Sequence, residues 1–136
     1  MAPQPDDMND RPAAVVLVRS APSPIAELIV MAVESPGFWI PGGAVGRGLD
    51  VVEQVADLGP VLVVLDLVQA GVFGTRLVSI VRTLAPRTVI QVIVPFAGLG
   101  AVASAEGADA AHMETDLRGL RLAVKSLADS LQNEGG

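Results

Sequence analysis

Few side chains in this sequence could do more than pack. Histidine occurs once, at His112, and cysteine is absent. With no second imidazole and no thiolate nearby, His112 has no company for a metal site or a nucleophile–base pair, and it reads as structural. No Ser-His-Asp set can be assembled around it, and Ser23 suits a helix cap better than catalysis. The stretch "PGGAVGRG" invites a phosphate-loop reading, but no Lys-Ser/Thr follows its glycines and their spacing is not the dinucleotide fingerprint. It reads as a flexible strand-to-helix connection. That leaves Asp66, the acid closing the apolar run "GPVLVVLD". A chain that builds a buried strand and ends it with a carboxylate has put that charge either in solvent or in a site.

The elements that position Asp66 alternate along the chain. "AAVVLVRS" (13–20) is a continuous β-branched run, as in a strand covered on both faces. "SPIAELIVMAVES" follows with helical spacing, Ser23 as N-cap and Pro24 at the first helical position. "GFWIP" reads as a second strand, and "LDVVEQVADL" as a helix ended by Gly59 and Pro60. "VLVVLD" is the third strand, with a helix from about 75 to 84 after it. "RTVIQVIV" is the fourth strand, leading to a short helix over about 99–106, and "AAHM" is a weak fifth. The last helix, "TDLRGLRLAVKSLADSL", carries an apolar stripe of Leu117, Leu120, Val124, Leu127 and Leu131, with Thr115 as its cap. Five βα units in succession predict a doubly wound α/β fold, a five-stranded parallel sheet in the order 2-1-3-4-5 with helices on both faces. Asp66 then lies in the crevice at the carboxyl ends of the strands, where such sheets place their sites.

Composition bounds the rest. The 136 residues make one domain, 51% hydrophobic and 18% charged, which is globular rather than disordered. Aromatics are 3%, so the core is aliphatic, with Phe38, Trp39, Phe73 and Phe96 as its large pieces. Residues 1–12 and 132–136 read as disordered tails around a domain spanning 13–131. The net charge of −6 comes with nine scattered basic residues and no basic stripe, which argues against a nucleic-acid partner. The uncharged run from Thr88 to Ala105 is interrupted by Gln91, Pro95, Gly98 and Gly100, so it reads as strand, turn and helix rather than a membrane span. The amino terminus lacks the apolar core of a signal peptide, so the expectation is a soluble, cytoplasmic protein with no membrane partner.

Over about residues 13–131 the chain resembles the receiver domain of bacterial two-component response regulators. "GRGLDVVEQVADLGPVLVVLD" is similar to the receiver run from the glycine before the second helix, here Gly48, to the phosphoacceptor aspartate, here Asp66. Gly71 and Gly74 fall where the following loop carries its glycines, "RLVSIVRTLAP" resembles the third helix, and Gly107 and Ala108 match the pair before the fifth strand. The resemblance implies a flavodoxin-like fold and a site of five parts. These are the aspartate, two acids after the first strand that complete a Mg²⁺ site, a Ser or Thr after the fourth strand, and a Lys after the fifth. Only the aspartate is kept. Arg19 and Ser20 stand where the acids would be, the hydroxyl position falls at Pro95 or Phe96, and the lysine position falls at Glu114, followed by Thr115 in place of proline. The loop proline has become Ala70.

The resemblance therefore implies a degenerate receiver, with no metal, no cofactor and no enzymatic activity. Its expected role is signal transduction through contact with another signalling protein or effector, or with a second copy of itself. Two alternatives stand beside it: a phosphoacceptor that uses Asp66 with unusual supporting groups, and a module like the anti-sigma-factor antagonists. The latter carry a serine in the loop after "VVLDL", where "VQAGVFG" has no hydroxyl. With the first and third strands adjacent, Arg19 is expected to reach Asp66 as an ion pair.

Overall fold

Four of the apolar runs form one parallel sheet in the computed structural model, which describes residues 11–19, 23–68 and 71–135. The strands are β1 (Ala14–Leu17), β2 (Leu62–Asp66), β3 (Val89–Val94) and β4 (Ala110–Met113), in the spatial order β1-β2-β3-β4. The helices are α1 (Pro24–Glu34), α2 (Gly48–Leu58), α3 (Gly71–Leu84), α4 (Ala97–Glu106) and α5 (Arg118–Gly135). Register carries Leu17 opposite Leu65, and Leu65 opposite Val92. Alternate strand residues therefore face opposite layers. Val15, Val63, Leu65, Ile90 and Val92 pack with Val51 and Val55 of α2 and Leu77, Val78 and Val81 of α3. Ala14, Val16, Leu62, Val64 and Ile93 pack with Ile29 and Val33 of α1 and Leu120 and Val124 of α5. This double covering is why the strands read as unbroken apolar runs, and each fully buried Val, Leu or Ile contributes about 1.5–3 kcal/mol.

The expected five-stranded sheet is corrected to four strands. The segment "GFWIP" and the residues just after it do lie beside the outer edge of β1, but among the described residues they meet it only at two isolated parallel bridges, Trp39 of the segment with Ala13 and, beyond it, Val45 with Leu17. Trp39 donates to Pro12 O and Val45 donates to Val16 O, while the residues between them leave the edge. The cause is local. Pro41 has no N–H for a ladder, and Gly42 and Gly43 take φ of +76° and +81°, conformations that turn the chain out of an extended path.

Some of the other expectations hold and some are corrected. Ser23 Oγ accepts from Ile25 N and Pro24 opens α1. At α5 the cap is not Thr115: Asp116 Oδ1 accepts from Arg118 N. The helix also runs to Gly135, past the boundary at 131, because the apolar stripe marks only the part that docks. Phe38 is fully buried, but Phe96 is 57% exposed and belongs to the surface; the side chain of Phe73 lies outside the described residues. The uncharged run 88–105 is β3, a turn and α4, and among the described residues no helix is long and apolar enough to cross a membrane.

Candidate functional site

Asp66 ends β2 at the carboxyl edge of the sheet, and it is not solvated. Its side chain has no exposed surface. The ladder continues past it, Leu67 donating to Ile93 O, which fixes the backbone on both sides. Oδ1 accepts from Val68 N at 3.1 Å, an Asx-type turn that directs the chain out of the strand. Oδ2 accepts from Arg19 Nε at 2.8 Å. Both oxygens of a buried charge are therefore engaged, which is what a carboxylate removed from water requires.

Arg19 follows β1, where Val18 is tied by its amide to Val45 O. The ion pair anticipated between neighbouring strand ends is present, and it has a third member. Arg19 Nη2 donates to Glu114 Oε1 at 2.9 Å. Glu114 stands just after β4, its amide bonded to Val94 O at the end of β3. The ends of β1 and β4 are three interstrand steps apart, about 14 Å, so the two long side chains bridge over the end of β3. One guanidinium thus joins three strand ends. Burial works against the charge on Arg19, but its hydrogen bonds to Asp66 and Glu114, reinforced by their charges, outweigh that and raise its pKa.

Of the remaining expected positions, those among the described residues do not join this cluster. Ser20 and Ala70 lie outside the described residues. Pro95 and Phe96 follow β3 at the same edge and bring no side-chain donor; Phe96 turns largely to solvent as the N-cap residue of α4. Thr115 is exposed in the turn before α5. Among the described residues no group of three His, Cys, Asp or Glu side chains is placed to hold a metal ion. The Glu114 contact was not anticipated, although the sequence carried its signal. By the resemblance, Arg19 falls at an acid position and Glu114 at the lysine position, a complementary pair of reversals.

No protein-family model matches the sequence, and no curated protein matches it. Solved structures match well in shape. A receiver domain protein (CheY-like) from Methanospirillum hungatei JF-1 superposes with a TM-score of 0.72 at 16% identity, covering 92% of this chain and 99% of that one. A response regulator from Thermotoga maritima gives 0.70 at 21% identity, covering 88% and 98%. One from Burkholderia pseudomallei, described with a phosphorylated aspartic acid, a calcium ion and citrate, gives 0.67 at 17% identity, covering 93% and 74%. The chain has the fold of response-regulator receiver domains.

Proposed function

We propose that this chain is a receiver-like signalling module whose aspartate is held in one state by an arginine, and that it works by contact with another signalling protein. The observation that carries the reading is the full engagement of Asp66: no exposed side-chain surface, Arg19 on one oxygen and a backbone amide on the other. Phosphoryl transfer needs a free carboxylate oxygen in line with the donor, and a cation to offset the charge gathered in the transition state. Here the carboxylate is covered. The cation that neutralises it is also covalently part of the chain and cannot leave with a phosphorylation cycle. Glu114 adds a carboxylate where, by the resemblance, a lysine would bind phosphoryl oxygens; it repels an incoming phosphate rather than receiving it. The Burkholderia neighbour, by contrast, is described with a phosphorylated aspartic acid and a calcium ion.

The rival is that the guanidinium substitutes for the metal and helps Asp66 accept phosphate. Incubating the protein with a small phosphodonor and Mg²⁺, then measuring intact mass, separates the two. The expected outcome is no mass gain that disappears in Asp66→Asn. A stable Asp66-dependent phosphoryl adduct would overturn the reading in favour of the rival.

A further inference from the structure

A second polar pair, one member buried and the other partly exposed, lies on the face covered by α5, and the Asp66 cluster makes no use of it. Gln91, in the middle of β3, is only 4% exposed, an unusual side chain for the centre of a buried strand. Among the described residues its side chain pairs with His112 on β4, with Oε1 and Nε2 2.6 Å apart. The far side of the imidazole meets α5. A Cβ added at Gly119 would lie 2.9 Å from His112 Nδ1 and 3.3 Å from Cε1, so the first turn of the helix lies against the ring and a larger residue there would force the two apart.

The hydrogen-bond pattern assigns the protons. With Gln91 presenting its oxygen, Nε2 carries the hydrogen and donates, and Nδ1 keeps a lone pair facing the start of α5. A lone pair suits the positive end of a helix dipole; an N–H⁺ does not. We propose that His112 is a proton-operated latch on α5, seating its first turn when neutral and loosening it when a solvent proton binds Nδ1. Burial lowers the pKa of His112, in keeping with a docked state that prefers the neutral ring. The groups around the ring leave it uncompensated. β3 supplies Gln91 and Ile93, neither titratable. At the start of α5, Asp116 and Arg118 pair with each other at 2.9 Å, and Arg121 is exposed. Just after its own strand, Glu114 is taken by Arg19. Among the described residues no carboxylate hydrogen-bonds the imidazole.

The sign follows from linkage. A histidine whose folded pKa lies below its ordinary 6.5 binds protons more readily when released, so docking is strongest above 6.5 and weakens as pH falls through the lowered value. The latch acts on α5 whether or not Asp66 accepts phosphate.

Because the chain has a single histidine, NMR of the imidazole reports His112 alone. Amide exchange, corrected for intrinsic rates, is followed in the same samples for residues 118–122, with α3 amides as the internal reference. The imidazole should titrate below 6.5, and protection of 118–122 should fall several-fold relative to α3 as pH drops through that titration. His112→Gln should abolish this relative change. An imidazole titrating at or above 6.5, or α5 protection that tracks α3 throughout, overturns the latch. The wild-type comparison decides the matter by itself if the variant fails to fold.

Discussion

Two arginines stitch this sheet together, one at each end, and they do it with different acceptors. Arg82 on α3 works at the amino edge of the strands. It donates to the carbonyls of Pro86, Thr88 and Gly107 and to Asp109 Oδ2, which in turn accepts from Ile90 N. Arg19 works at the carboxyl edge, and its two acceptors are both carboxylates. At the Arg82 end most acceptors are neutral and in local turns, so the cation serves the loops. At the Arg19 end a buried anion depends on one cation for its neutralisation. The first arrangement is a structural staple. The second, on the function proposed above, is a site whose charge is already spent.

That contrast can be broken by mutation. The largest effect should come from Arg19→Met, which leaves the unexposed Asp66 carboxylate without its cation. Removing one partner of a buried pair costs about 3–5 kcal/mol, which denaturant unfolding would read directly. Arg82→Met removes hydrogen bonds mainly to carbonyls that water can partly reach, and should cost about 2 kcal/mol. If Arg82→Met proves the more damaging of the two, the division between staple and site is wrong.

A smaller loss is expected at Gly107, whose φ is +124° and whose added Cβ would lie 3.1 Å from Arg82 Cβ and Cγ. Gly107→Ala should cost about 1–2 kcal/mol and should be partly non-additive with Arg82→Met, because that variant changes the contacting side chain. The smallest effect belongs to Asp116, held at a pKa of about 2 by the side chain and amide of Arg118. A depressed carboxylate contributes stability above its ordinary 3.8, and that contribution is lost as pH falls through the lowered value. Being fully exposed, it should alter only the shape of the acid limb. Comparing Asp116→Asn with wild type in acid unfolding checks this: a shift reaching above pH about 5 would mean a different group controls that limb.

The strands that became core were readable from their unbroken apolar runs, because both faces of the sheet are covered. The failure at "GFWIP" has the opposite cause. Its apolar residues are buried, Phe38 and Ile40 among them, but burial is not pairing, and Pro41–Gly42–Gly43 breaks the backbone ladder that periodicity cannot report. Similarly, Phe96 was assigned to the core by residue type, while its place at the start of α4 faces it to solvent. The Arg19–Asp66 pair was legible because adjacent parallel strands bring their ends within one side chain's reach. Glu114 was harder, because two strands lie between its own and that of Arg19. Gln91 with His112, and Arg82 with its carbonyls, were invisible in the sequence: their partners depend on register and on loop paths that no local pattern encodes.

The central claim is that Asp66 and Arg19 form one unit, and a double-mutant cycle measures that most directly. Arg19→Met, Asp66→Asn and the double variant are unfolded in urea alongside the wild type. If the arginine holds the buried carboxylate, Asp66→Asn should relieve much of the damage done by Arg19→Met, with a coupling energy of at least about 1 kcal/mol. Additive losses within about 0.5 kcal/mol would show that the two side chains act independently, and the account of a carboxylate locked by its neighbour would fall.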